Sequence, residues 1–392
     1  MHVADSHILV VDDVEDNRAI LLRRLQRLGF RHLAEAEDGV AALDHIRAHP
    51  VDLVLLDVMM PRMNGVEVLE AIRLENRLEQ TAVIMISAST EIETVVKCID
   101  LGAEDYLPKP FNPSILRARI GSVLEKKALR AEVRRQLTRL EVEMASARQQ
   151  QLAMVNTHFP SPGGAIDLHA VMMPAQEVGG DLYDFFEVTP GTLCIAIGDV
   201  SGKGMPAALF MARTRSLLRA GTLQFYALAG RMPRPSEVAT LLNEELCKNN
   251  EDCVFVTLVL GFLDIASGRL DYVNAGHLPP FKVGADGIVA DRTNADPPIG
   301  VMDHLTFADR DIQLGASETL VLMTDGLPEM ENDGHELYTS ERLMADCLSL
   351  AGNAARAFSG GLIERVLAHA GDAPQFDDIT ALVLRWRPPS AD

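Results

Sequence analysis

Aspartates set the chemistry open to this chain. Asp12 and Asp13 follow the apolar run HILVV, and Asp57 closes a second run, VDLVLLD. Three carboxylates at one rim repel one another unless a hard divalent cation is shared among them, so the set predicts magnesium. With the cation bound, an ionised Asp57 is a nucleophile for a phosphoryl donor. Lys109, just after DYLP, offers a compact positive charge for phosphoryl oxygens, and Ser87, ending AVIMIS, offers a hydroxyl donor. Any one aspartate at a strand end reads as a turn former. The set does not.

Four more aspartates are scattered further along: Asp181 in EVGGDLYDFF, Asp199 in IAIGDVSGKGMPAAL, Asp325 in LMTDGLPE and Asp377 in FDDITALVL. Small residues and apolar strands adjoin them, which lets the backbone bend closely around a small ligand. Two divalent ions about 3.5–4 Å apart among such carboxylates polarise a bridging water and clamp a phosphoryl oxygen. Hydrolysis is the chemistry that follows.

These residues must be held in place, and the hydrophobic pattern says by what. From residue 7 to about 120, HILVV, VDLVLLD and AVIMIS alternate with amphipathic stretches such as GVEVLEAIRLE. That βα rhythm predicts an α/β doubly wound parallel sheet, with the reactive positions beyond the carboxyl ends of its strands. Residues 114 to about 156 read as one long helix with Val133, Leu137, Leu140 and Met144 at coiled-coil spacing. Its eight basic residues between Arg117 and Arg139 read as a solvated flank, since no aromatic is interleaved among them. FPSPGG at 159–164 breaks that helix, and strands such as LCIAIGD, GRLDYVNAG and ETLVLMTD then mix with helical stretches. The third region is therefore α+β with antiparallel pairing. The expected organisation is 1–120, a helical linker over 121–158, and 159–392, with a frayed PPSAD tail.

The composition agrees and excludes alternatives. A chain of 392 residues with 47% hydrophobic residues has room for two or three domains with sizeable cores. Lys plus Arg number 36 against 56 Asp plus Glu, a net charge of −20, which disfavours nucleic acid and anionic lipid as partners. No apolar run is long enough to span a membrane, and MHVADSHILVVDD has no basic region or cleavage site, so a cytoplasmic protein is expected. Cys98, Cys194, Cys247, Cys253 and Cys347 form no CxxC pair and read as buried thiols. His277 in NAGHLPP reads as a satisfied loop histidine and Lys203 in SGKG as a surface lysine, since the GxxxxGK[ST] spacing is absent.

The first set, ILVVDD, VDLVLLDVMMPRMNG, IMISA and YLPKPF, resembles the receiver domain of two-component response regulators. The resemblance implies Asp57 as phosphoacceptor, Asp13 as magnesium ligand with Asp12 beside it, and Met59 as donor of a backbone carbonyl. It further implies Lys109 as the phosphate-contacting lysine, Ser87 and Tyr106 as switch residues, and a cis bond before Pro110. A histidine kinase or phosphotransfer protein is the implied phosphodonor.

GGDLYDFF, GDVSGKGMPAAL, NAGHLPP, PPIGV, TDGLPE and DDIT resemble, in order, the PPM-type metal-dependent serine/threonine phosphatases of the SpoIIE-like branch. That resemblance implies two antiparallel sheets packed face to face with helices outside, and two Mn2+ or Mg2+ ions. It makes Asp181, Asp199, the Val200 carbonyl, Asp325 and Asp377 the metal site, with Asp378 a second candidate. The substrate class it implies is a phosphorylated anti-sigma-factor antagonist. Ser201 stands where eukaryotic relatives carry a histidine, so no general acid is named, and QQLAMVNTHFP is a loose version of the helical motif that precedes the domain in this branch.

The expectation is a response regulator whose phosphorylation at Asp57 controls a phosphatase output, paired as a homodimer along the helical stripe. The competing class is a non-enzymatic adaptor that binds a stress sigma factor for proteolysis. The retained Asp181, Asp199, Asp325 and Asp377 argue against it, because a pure binding surface has no need of such a cluster of like charge.

Overall fold

The computed structural model describes residues 5–88, 92–110, 112–156, 164–284, 286–290 and 294–388. Two compact units divide between Leu140 and Glu141. Most of the FPSPGG helix breaker and of the PPSAD tail lies outside the described residues.

The first unit alternates β1 His7–Val11, α1 Glu15–Arg27, β2 His32–Ala36, α2 Gly39–Ala48, β3 Leu53–Asp57, α3 Gly65–Leu74, β4 Ala82–Ser87, α4 Ile92–Asp100 and β5 Asp105–Pro108. The sheet order is β2-β1-β3-β4-β5 and every pairing is parallel. Side chains of a strand alternate between faces, and here both are apolar. Leu9, Val11, Val54 and Leu56 pack on Leu43, Ile46, Val68 and Leu69 of α2 and α3, while Ile8, Val10, Leu53 and Leu55 face Leu21 and Leu25 of α1. Burying each such side chain contributes roughly 1.5–3 kcal/mol, so these runs tolerate no charge until they reach the rim. The polar side chains begin there, at Asp12, Asp57 and Ser87.

Helix α5, Pro113–Met154, begins against that sheet through Leu116, Ile120, Val123 and Leu124. Its basic residues form the solvated flank expected from the sequence, and several of them also carry ion pairs that the sequence did not indicate. Arg119 pairs with Asp105, Lys127 with Asp52, Lys126 and Arg130 with Glu104, and Arg134 with Glu79.

The second unit continues with β6 Ile166–Met173, β7 Leu182–Thr189, β8 Thr192–Val200, α6 Met205–Ala229, α7 Pro235–Cys247, β9 Val256–Asp264, β10 Arg269–Ala275, β11 Phe281–Gly284, β12 Gly287–Ala290, β13 Arg310–Gln313, β14 Thr319–Met323, α8 Ser340–Ser349, α9 Ala355–Ala370 and β15 Ile379–Trp386. Two antiparallel sheets form, β13-β10-β9-β8-β7 and β12-β11-β14-β15-β6. Period-2 alternation divides each strand between two cores. Leu382, Leu384 and Trp386 of β15 meet Ile195 and Ile197 of β8 between the sheets, while Ala381 and Val383 face Phe358 and Leu362 of α9 on the outside. Cys194 and Ala196 of β8 turn the other way, toward Met211 of α6 and Leu242 of α7. This four-layer arrangement leaves one end of β8, β14 and β15 for the aspartates. All five cysteines are free, and three are buried as expected, but Cys247 is half-buried and Cys253 is exposed in a loop with positive φ.

Candidate functional site

At the rim of the first sheet, β1 delivers Asp12 and Asp13, β3 delivers Asp57, and the three can bring ligand oxygens within 4.8 Å of one another. Asp12 and Asp57 are buried and Asp13 is exposed. Asp12 is fixed from below, its Oδ1 accepting from the Val14 N–H at 3.0 Å and from Asn17 Nδ2 at 3.0 Å. Lys109 reaches over from the end of β5, its Nζ donating to Asp12 Oδ2 at 2.6 Å and to Asp57 Oδ2 at 2.8 Å. The Lys109–Pro110 bond is cis. Gly65, which starts α3, packs so closely on Asp57 that a Cβ there would lie 2.1 Å from the Asp57 carbonyl oxygen.

Burial pushes the Asp57 carboxyl up, Lys109 pulls it back, and Asp12 adds to the rise. Lys109 is itself held above the ordinary lysine value, because its two carboxylates outweigh the cost of its burial. Ser87 lies buried at the end of β4 and accepts through its carbonyl from the Lys109 N–H at 2.8 Å. Tyr106 is half-buried on β5, and the Met59 backbone N–H hydrogen-bonds Asp57 while its side chain points outward.

In the second unit, Asp181 immediately precedes β7 and Asp199 is the penultimate residue of β8. The β7–β8 register, Leu182 opposite Gly198, sets them side by side, close enough for each carboxyl to act on the other's ionisation. Asp325 lies two residues beyond β14 and Asp377 two before β15, again joined by an antiparallel register, Met323 opposite Ala381. Asp181 is fully buried, and its carboxyl is driven well above the carboxylate range by desolvation first and by Asp199 next. Asp199 is pushed up to about 7 by burial and then by Asp325, Asp377 and Asp378. Desolvation and Asp377 raise Asp325 as well, and Lys203 offsets part of this. The four carboxylates thus face one another, but among the described residues only the first site gathers three ligand oxygens within 4.8 Å.

Asp378 has a different task from Asp377. Its Oδ1 accepts from the Ala175 N–H at 2.8 Å and its Oδ2 from the Gly180 and Asp181 N–H groups at 2.7 and 3.3 Å. Both oxygens hold the loop that carries Asp181. Thr324 Oγ1 donates to Asp181 Oδ2 at 2.9 Å from the other side. Sequence reasoning missed Thr324, although it precedes Asp325 directly. Ser201 Oγ accepts from the Phe255 N–H at 3.0 Å, so the residue that replaces the eukaryotic histidine secures a strand end. Lys203 is exposed as expected, yet its Nζ lies 3.3 Å from Asp377 Oδ2 and donates to the Phe376 carbonyl at 2.6 Å. His277 lies in the loop between β10 and β11, as expected, and is buried there. Its Nδ1 meets Thr257 Oγ1 at 2.8 Å, and burial lowers the ring to about 4, so it stays neutral.

A parallel five-stranded sheet with an acidic rim and a lysine, followed by a helix-clad double antiparallel sheet with converging aspartates, defines a receiver domain joined to a PPM-type phosphatase domain. The family described as response regulator receiver domain matches residues 8–121, and the family described as Stage II sporulation protein E (SpoIIE) matches residues 189–387. The chain belongs to the SpoIIE family. It is 29% identical over 279 residues to Protein IcfG of Synechocystis sp., covering 66% of this chain and 43% of IcfG, so it spans less than half the length of that relative. Its first unit is 34% identical over 119 residues to Chemotaxis protein CheY of Pseudomonas aeruginosa, 30% of this chain and 96% of that protein. The SiaA-PP2C domain of Pseudomonas aeruginosa shares the fold at a TM-score of 0.56 and 19% identity, over 64% of this chain and 98% of that one.

Proposed function

We propose that this chain is a response regulator in which phosphorylation of Asp57 controls hydrolysis of a protein phosphoserine or phosphothreonine, the substrate being a phosphorylated anti-sigma-factor antagonist. The observation that carries the reading is that one chain holds two separate acidic sites, each of a composition that a phosphoryl group and divalent cations require. The donor sets fit such ions: hard carboxylate oxygens, buried or half-buried, with more negative charge than Lys109 and Lys203 neutralise. Asp12, Asp13, Asp57 and the Met59 carbonyl would hold Mg2+ in the receiver. Asp181, Asp199, the Val200 carbonyl, Asp325 and Asp377 would hold two Mn2+ or Mg2+ ions in the phosphatase domain. Bound there, the cations supply neutralisation of phosphoryl charge and an acidified water.

In the receiver, an Asp57 oxygen forms a bond to phosphorus as the P–N bond of a phosphohistidine donor breaks, and the donor imidazole takes up a proton as it leaves. Lys109, 2.8 Å from Asp57 Oδ2, steadies the nucleophile beforehand and meets the phosphoryl oxygens afterwards. Ser87 and Tyr106 carry the change outward. In the phosphatase domain, water adds to the phosphorus of the ester as the P–O bond to the serine or threonine breaks, releasing the hydroxyl and inorganic phosphate. Asp181 is held in place for this by Thr324 and Asp378.

Coupling is assigned to α5, the helix that begins on the receiver sheet. Val133, Leu137 and Leu140 on it are 56%, 55% and 53% exposed, which supports pairing of two copies along this stripe. Among the described residues no helix is long and apolar enough to cross a membrane. The test is manganese-dependent phosphate release from a phosphorylated antagonist protein, with and without a small-molecule phosphodonor. Absence of hydrolysis with either metal, together with stoichiometric sigma-factor binding, overturns the phosphatase in favour of an adaptor.

A further inference from the structure

The loop that delivers Asp181 carries two consecutive glycines, Gly179 and Gly180, and takes its rigidity from elsewhere in the domain. Gln151, on the last turn of α5, is 6% exposed. Its Nε2 donates to the Gly179 carbonyl at 2.6 Å, and its Oε1 accepts from the Gly179 N–H at 3.1 Å. One amide side chain therefore satisfies both polar groups of one residue, as a neighbouring strand would. Gly179 is pressed against Asp378 on its other side, where a Cβ would lie 2.2 Å from Asp378 Oδ2. Beyond Asp181 the chain just past the helix holds on again, with Asn156 Nδ2 donating to the Phe185 carbonyl at 2.7 Å and Tyr183 Oη donating to the Asn156 carbonyl at 3.0 Å.

We propose that Gln151 is a positioning residue for the metal ligand Asp181, acting through its paired hydrogen bonds to Gly179; the proposal rests on the phosphatase reading above. Packing alone does not explain a glutamine here. An apolar side chain of the same length would fill the space without the desolvation of an amide, but would leave the Gly179 N–H and carbonyl buried and unpaired. Asp181 sits two residues along the chain from that pair. Its carboxylate must already stand beside Asp199 when a cation arrives, because ligands that have to be ordered on binding lower the affinity.

The experiment is calorimetric titration of Mn2+ into the metal-free full-length protein. Asp199→Asn identifies which binding class belongs to the phosphatase domain, and the class that survives in it belongs to the receiver. Gln151→Met keeps the length and removes both hydrogen bonds. It is expected to weaken the Asp199-dependent class about tenfold while leaving the receiver class unchanged. Gln151→Glu, which keeps the acceptor and loses the donor, is expected to fall between wild type and Gln151→Met, and it carries the test if Gln151→Met does not fold. Wild-type affinity at the Asp199-dependent class in a folded variant, or equal weakening of both classes, overturns the positioning role. A wild type with no Asp199-dependent class overturns the phosphatase reading, and this role with it.

Discussion

The two acidic sites solve the same electrostatic problem differently. In the receiver, Asp12 and Asp57 share one ammonium, with Lys109 Nζ at 2.6 and 2.8 Å, and Asp13 stays in solvent. In the phosphatase domain, Asp199 faces Asp325, Asp377 and Asp378, and the nearest cation, Lys203, stands at the rim against Asp377. A site with its own counter-charge can gain and lose a phosphoryl group and remain folded in both states. A site with surplus negative charge resists ionisation unless cations are bound.

The largest expected effect comes from the uncompensated site. Asp199→Asn removes ligand charge and almost no volume, so metal-dependent phosphate release is expected to fall below about 1% of wild type. Acyl-phosphate formation at Asp57, read on a phosphate-affinity gel, should not change. Full phosphatase activity in that variant would remove Asp199 from the metal site. The converse substitution, Asp57→Asn, should abolish the acyl phosphate and leave basal hydrolysis in place, with the response to a phosphodonor lost. A phosphodonor response that survives Asp57→Asn would show that control does not pass through the receiver aspartate.

The same contrast has a pH signature. Asp199 is held near 7, well above the 3.8 of an unfolded aspartate, so the folded chain keeps a proton that the unfolded chain releases. That stabilisation is fully present below about 4 and is lost as pH rises through 7. Metal-free protein should therefore lose on the order of a few kcal/mol from this group between those limits, and Asp199→Asn should lose less. Thermal unfolding from pH 5 to 8 measures it. Saturating Mn2+ should reverse the trend, because ionisation then favours binding. An identical pH profile in wild type and Asp199→Asn would show that the cluster is not under the strain its burial implies.

Much of this was legible in the sequence, for physical reasons. Runs such as HILVV and LVLLD are apolar on both faces and end abruptly in carboxylates, so strand, burial and rim are marked together. The division of labour between Asp377 and Asp378 was not legible. Neighbouring aspartates are chemically alike, and only the pairing of β15 decides which of them turns toward the loop at Gly180. Nor could sequence reveal that Arg119, Lys126 and Lys127 answer Asp105, Glu104 and Asp52, since those partners are brought together by tertiary packing alone. Gln151 hid for the same reason. A glutamine in a polar helix gives no sign that its amide is buried against a glycine 28 residues on.

The smallest effect on either chemistry, and the sharpest test of how the two regions communicate, concerns the stripe on α5. Val133, Leu137 and Leu140 lie three or four residues apart and stay exposed, whereas Leu116, Ile120, Val123 and Leu124 earlier on the same helix are buried on the receiver sheet. One helix thus changes from a core element to an apolar face open to solvent. Two copies paired along that face would bury it, and burial of each leucine contributes roughly 1.5–3 kcal/mol before association costs. Leu137→Glu sets like charges against each other at the seam. It should halve the mass seen by light scattering while leaving Mn2+ binding and Asp57 phosphorylation at wild-type levels. If phosphodonor response disappears along with the dimer, pairing is the route from receiver to phosphatase. A wild type that is monomeric with and without phosphodonor would rule out the dimer, and a Leu137→Glu protein of unchanged mass and unchanged response would take the stripe out of the mechanism.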